Sequence, residues 1–191
     1  GQHVDIALQD AMLFQSDGLP TLGALGIEPT RMGNEFGFAA PANVYDCLDG
    51  AVYLGVLLDD HWKILAPIIG EPELAEHPTF ATRDERAVNR DVCNMMVSEW
   101  AKQLPREQVL KTLQTAGLPA APVNTFPEAA KDPHVQERDM LQPVEFSNGV
   151  TMPITGPAAK FSRTPTKIRS AAPDIGQHNH EILNSIGAKA D

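Results

Sequence analysis

Asp59, Asp60 and His61 stand side by side, two carboxylates and an imidazole. These are side chains that move protons near neutral pH. They follow a strand-like run and precede a helix-like one, where an aspartate more naturally caps the helix by accepting its free N–H groups. Capping is therefore the expectation for Asp59 or Asp60. His178 and His180 form an H-x-H pair without the third ligand and carboxylate spacing of a zinc site. A helix-start cap or packing role is expected for them, and no metal. Cys47 and Cys93 are the only cysteines. With no C-x-x-C spacing they suit two free, buried thiols in a reducing, cytoplasmic setting. Met32-Gly33-Asn34-Glu35-Phe36-Gly37 is a small Gly-bearing loop that by itself reads as a connector. The chain has no nucleophile elbow, P-loop or G-x-G-x-x-G. Trp62 and Trp100 sit on apolar faces and read as core.

The elements that must position these residues follow from periodicity and punctuation. Val4 to Leu8 reads as a strand running into a helix, an abrupt opening that suits the C-terminal portion of a larger protein. Residues 16–42 hold Gly18, Pro20, Gly23, Gly26, Pro29, Gly33, Gly37 and Pro41, too many breakers for a regular element. Val44–Leu48 and Ala51–Leu57 flank Asp49-Gly50, which predicts a hairpin with a type I′ turn. A short helix through Ile69 follows, with Trp62, Leu65 and Ile69 on one side and a kink or early end at Pro67. The spacing of Val88, Val92, Met96 and Trp100, widened by Cys93, Val97 and Leu104, predicts one long amphipathic helix over 84–104. Another helix runs from Pro105 to Ala116, with Val109, Leu110 and Leu113 inward and Gly117 past its end. Leu118–Val123 reads as a short strand. Residues 126–140 are helical around a break at Asp132-Pro133, and Ser147-Asn148-Gly149 turns a second hairpin. An extended, proline-rich stretch over 153–176 leads to a closing helix, His180–Ile186. By pattern alone this is an α+β module.

Composition sets the outer limits. Of the 191 residues, 42% are hydrophobic and 21% charged, which suits a folded domain rather than a disordered chain. Fifteen basic against 25 acidic residues give a net charge of −10. No Lys/Arg cluster stands out, so nucleic acid is not an expected partner. A polyanionic ligand would need a local basic patch or a positive partner segment. The apolar runs fall short of the ~20 residues that cross a bilayer.

An ordered set of short motifs spans essentially the whole chain. It begins with Gly1-Gln2, Val4-Asp5-Ile6, Leu8 and Asp10-Ala11, then Gly33-Asn34, Tyr45 and Asp49-Gly50. Ile69-Gly70, His77-Pro78 with Phe80, Arg86, Ala116-Gly117-Leu118-Pro119, Asp132-Pro133 and Gly156-Pro157 come next. Phe161-Ser162, Thr164-Pro165, Ala172-Pro173, Ile175-Gly176, His178 and Glu181-Ile182-Leu183 complete it. This set resembles the C-terminal portion of the family III CoA-transferases, the group of formyl-CoA transferase, carnitine CoA-transferase and α-methylacyl-CoA racemase.

The resemblance implies a Rossmann-like large domain built from both ends of a longer chain, with a small α+β domain inserted and two chains interlocked as a homodimer. Mapped here, 1–20 belong to the large domain, 21–42 to a linker with the Gly-bearing loop, 43–125 to the small domain, and 126–191 to the return segment and tail. It also implies covalent catalysis. An aspartate attacks an acyl-CoA, and the resulting anhydride becomes an aspartyl-CoA thioester. An acceptor carboxylic acid then attacks that thioester and receives the CoA. The nucleophile is expected upstream of Gly1, so no catalytic residue is assigned in this chain, which alone is expected to be inactive. Gly33, Asn34 and Gly37 fall where the family has a glycine-rich loop over the thioester. Leu8 falls near the acyl pocket. Acyl-CoA and a carboxylic acid are the implied substrates, the N-terminal half the implied partner.

Two alternatives stay open. The racemase branch requires a proton-transferring Glu after the second hairpin strand, where this chain has Leu58, with Asp59 adjacent. A non-catalytic acyl-CoA-binding module is the other.

Overall fold

Two strands, β1 (Ala42–Cys47) and β2 (Gly50–Gly55), pair antiparallel with Cys47 opposite Gly50 in a computed structural model that describes residues 1–16 and 18–187. The hairpin forms where expected, but its two-residue connection is Leu48-Asp49 rather than Asp49-Gly50. Asp139 is the only non-glycine with positive φ among the described residues, so the turn is not type I′, which needs positive φ at both central positions. A longer-range bond accompanies the shift. The Asp49 carboxylate accepts from the Arg106 backbone N–H at 2.6 Å, capping a helix 57 residues away. Along β2 and the residue after it, Val52, Leu54 and Val56 are buried while Tyr53 is 40% exposed, the period-two pattern of a strand with one face on a core. A third strand, β3 (Ala120–Pro122), pairs antiparallel with β2 and completes the order β1-β2-β3.

Helices cover the inner face of this sheet. α3 (Asp59–Ile68) buries Trp62, Leu65 and Ala66, and it ends one residue after Pro67. Its N-cap is Leu58, and no side chain caps it. Neither Asp59 nor Asp60 does the capping expected of it. Both lie in the first turn, where a carboxylate complements the helix dipole. Trp62 Nε1 donates to the Leu74 carbonyl at 2.9 Å, fastening the 3-10 turn Pro72–Ala75.

The single helix expected over 84–104 is two, α4 (Arg83–Val88) and α5 (Arg90–Ala101), broken at Asn89 with φ −101° and ψ 28°. The Asn89 amide donates to the carbonyls of Thr79 and Glu85, local bonds that compete with a continuous helix. The break changes which face is inward. Val88 is 82% exposed and Val92 41%, whereas Cys93, Val97 and Ala101 are fully buried. Trp100 packs against the core from its edge. α6 (Arg106–Thr115) buries Val109 and Leu113, and Gly117 beyond it takes φ +78°.

The N-terminal residues differ most from expectation. No strand forms at Val4–Leu8, which lack a pairing partner. α1 (Leu8–Phe14) and α2 (Leu19–Ala24) bury none of their residues. α2 lies inside the stretch read as irregular, with Pro20 in its first turn, a position that needs no N–H.

The described residues fall into two units, Gly1–Val123 and Asn124–Asp191. In the second, a capping box of Thr125 and Glu128 starts α7 (Phe126–Lys131), and Asp132 separates it from α8 (Pro133–Glu137). β4 (Leu141–Glu145) and β5 (Thr151–Thr155) form the second hairpin. Its turn includes Gly149 at φ +78°. α9 (Asn179–Ser185) lies near the C-terminus. The class is α+β. Among the described residues no helix is long and apolar enough to cross a membrane.

Candidate functional site

The Gly-bearing loop is anchored to β1 through its backbone and to α5 through side chains. Residues 32–35 form a turn closed by the Glu35 N–H donating to the Met32 carbonyl at 3.1 Å. Gly33 sits in that turn at φ +63°, a conformation that disfavours any residue with a Cβ. The Phe36 N–H donates to the Ala42 carbonyl at 3.1 Å, tying the loop to β1. Gly37 lies so close to Met32 that an added Cβ would meet its sulfur at 3.3 Å. Phe36 and Phe38 meet edge to face with centroids 5.8 Å apart, and Phe38 is 62% exposed.

Beneath the loop runs a polar chain. The Tyr45 hydroxyl of β1 donates to Asn94 Oδ1 at 2.6 Å, and Asn94 Nδ2 of α5 donates to Glu35 Oε1 at 3.0 Å. Tyr45 is 2% exposed and Asn94 8%. Burial, aided by the nearby Cys93, Glu35 and Tyr53, pushes the Tyr45 hydroxyl above its ordinary range. It therefore stays a donor at any working pH. Sequence reasoning matched Tyr45 but gave it no role, and it missed Asn94 and Glu35. The one available signal was a polar Asn beside Cys93 on an otherwise apolar stripe.

Arg86 is a second organising residue that was matched without a role. It is fully buried and donates to the carbonyls of Ala40, Phe80 and Ala81 and to Asp59 Oδ1. Its guanidinium lies 5.6 Å from the Trp62 ring centroid. Burial lowers its pKa and the Asp59 partner offsets part of that, but an arginine stays charged in proteins. Asp59 is thus engaged as a counter-ion at 3.0 Å. His61 Nδ1 is buried without a hydrogen-bond partner. The Asp59-Asp60-His61 run is neither the expected cap nor a mutually bonded acid–base cluster.

The remaining candidates lie apart. Leu8 opens α1 at 88% exposure and so lines no enclosed pocket here. His178 Nδ1 lies 3.4 Å from Glu181 Oε2 and makes no side-chain cap to α9. Among the described residues no group of three His, Cys, Asp or Glu is placed to hold a metal. Cys93 is buried and Cys47 half-buried, both free. Burial pushes the Cys93 thiol up to about 11, against the lowering pull of Arg86. Burial, with Asp49 and Asp46, also raises Cys47. Neither is a primed nucleophile. The cations are less scattered than the bulk charge implies. Lys160, Arg163, Lys167 and Arg169 fall in a stretch with no acid between Glu145 and Asp174. Lys160 and Lys167 line a cleft of about 730 Å³ with Arg138, Glu137 and Asp139.

With this geometry in view, comparison with known proteins is decisive on family. Residues 1–179 match the model of CoA-transferase family III, and the chain belongs to that family. It is 31% identical over its whole length to the succinyl-CoA–L-malate CoA-transferase beta subunit of Chloroflexus aurantiacus, covering 48% of that protein. It is 30% identical over 98% of its length to the succinyl-CoA:mesaconate CoA-transferase of Haloarcula marismortui, covering 47% of it. Among solved structures, a CAIB/BAIF family protein from Brucella suis superposes with a TM-score of 0.75 at 30% identity, over 97% of this chain and 48% of that one. The chain spans about half the length of the curated relatives it matches.

Proposed function

We propose that this chain is the C-terminal part of an enzyme that moves CoA between an acyl-CoA and a carboxylic acid. The observation that carries this reading is the match across nearly the whole chain to relatives named as CoA-transferases. The nucleophilic aspartate lies in the other part of the protein. Its carboxylate attacks the thioester carbonyl and expels CoA thiolate, leaving a mixed anhydride. The thiolate attacks the aspartyl carbonyl and releases the donor acid. The acceptor carboxylate then attacks the aspartyl-CoA thioester and frees the thiolate again. Attack of that thiolate on the new acyl carbonyl gives product and restores the aspartate.

In this reading residues 1–20 belong to the large domain, 21–42 are the linker, 43–125 the small domain and 126–191 the return segment, within an interlocked cytoplasmic homodimer. Gly33, Asn34 and Gly37 form a lid that keeps water from the thioester. Leu8 lines the acyl pocket once its exposed face is covered. Succinyl-CoA is the donor to try first, since the relatives' names carry it. The racemase alternative is the weaker one. Leu58 cannot carry a proton, and Asp59 is already engaged by Arg86.

The test is to incubate the complete protein with succinyl-CoA and isotopically labelled acceptor acids such as malate or mesaconate. Label should appear as acyl-CoA. Label recovered only as free acid with every acceptor would reject CoA transfer, and loss of configuration at an α-carbon would favour the racemase. The 191-residue chain alone should show no turnover.

A further inference from the structure

The two arms of the Gly33–Gly37 loop are held very differently. On the leading arm, the Met32 sulfur lies against Gly37 and takes a bond from Arg90 Nη1 at 3.8 Å, and a thioether is a weak acceptor. On the trailing arm, Glu35 takes a charge-assisted bond from Asn94, and such bonds are the stronger kind. Between them stands Gly33 at φ +63°, with open space around its missing Cβ.

Asn94 occupies a place where an apolar residue would pack, beside Cys93 and Val97. A buried amide is costly unless both of its ends are bonded. Here both are: its oxygen accepts from Tyr45 and its nitrogen donates to Glu35. Those partners lie 49 and 59 residues away in sequence. The amide presents an acceptor and a donor on separate atoms of one branch, so it can serve both partners at once. Leucine offers neither, and aspartate offers only acceptors.

We propose that Asn94 is a positioning residue. Through Tyr45 and Glu35 it latches the trailing arm of the loop to α5 and β1, leaving Gly33-Asn34 as the mobile tip. Its role in turnover rests on the lid reading above. The latch itself does not.

An exchange of the two functional groups tests it. Asn94→Asp keeps an acceptor for Tyr45 but sets a carboxylate against Glu35, severing only the loop bond. Adding Glu35→Gln restores a donor, now pointing the other way. In the complete protein at pH 8, amide exchange of a peptide covering 32–38 should be about tenfold faster in N94D, with β2 unchanged, as expected for losing one hydrogen bond to a charged group. The E35Q/N94D pair should return it close to the parent. Unchanged exchange in N94D, or acceleration that persists undiminished in the pair, overturns the latch. Should N94D fail to fold, E35A, altering a loop residue outside the core, should loosen the same peptide, and no loosening there also overturns it. On the same samples, thioester hydrolysis relative to CoA transfer should rise in N94D and fall back in the pair. Altered exchange with an unaltered ratio would sink the lid reading and leave the latch standing.

Discussion

Helices α1 and α3 lie in the same unit and are both rich in apolar residues, yet they end up in opposite environments. α3 buries Trp62, Leu65 and Ala66 completely. In α1, Leu8, Met12, Leu13 and Phe14 are between 50% and 88% exposed, and nothing in it is buried. The difference is not one of composition. α3 has a sheet, the Pro72–Ala75 turn and the Arg86 guanidinium to pack against, while α1 has no such surface among the described residues. A helix becomes core only when another layer meets it. A large exposed apolar patch marks a surface built to be covered.

The sharpest way to test that contrast is to damage the packed side. Arg86→Leu should cost about 3–5 kcal/mol, because it strands two buried carbonyls and a part-buried one and leaves Asp59 without its partner. Urea unfolding followed by circular dichroism measures it, and a cost under 1 kcal/mol would mean the clip contributes little. In the isolated chain, Leu8→Ala and Phe14→Ala should change stability by less than about 0.5 kcal/mol. In the complete protein the same two substitutions should cost about 2 kcal/mol or more each if the α1 face is covered there. Equal, negligible costs in both would break the comparison.

A pH series probes the packed side from another direction. The Cys93 thiol is raised from 9.0 to about 11 by burial, so the folded state holds a proton that the unfolded state releases first. Its contribution to stability is complete below about pH 9 and is lost as pH rises toward 11. Cys93→Ala should flatten that part of the profile, and iodoacetamide at pH 8 should modify Cys47 before Cys93. The smallest expected effect is local. Gly33→Ala should cost about 1 kcal/mol through its positive φ alone, with the Arg86 clip unaffected.

Much of the fold was legible because its signals are local. Asp-Gly and Asn-Gly predicted both hairpins, Asp132-Pro133 the helix break, and the Val109–Leu113 stripe and Gly117 the extent of α6. Two of the misreadings share a physical cause: a distant partner changed a local choice. Asp49 caps α6, which accompanies a turn one residue earlier than the sequence suggests. Asp59 serves Arg86 in place of its own helix. A third misreading is local: the Asn89 amide bonds Thr79 and Glu85 and splits what periodicity read as a single helix. The family was legible as an ordered set of motifs. What anchors the Gly33–Gly37 loop was not, because Asn94, which joins Glu35 to Tyr45, lies 59 and 49 residues from them and drew no notice.

By itself, then, the order of residues determined most of the elements, the class and the family, since turn chemistry, apolar period and short motifs act over a few neighbouring positions. Only the tertiary structure decided which polar groups are buried together, which face of each helix is inward, and which apolar face is left bare. Those outcomes depend on segments brought together across 27 to 59 residues, a range at which no local preference reaches.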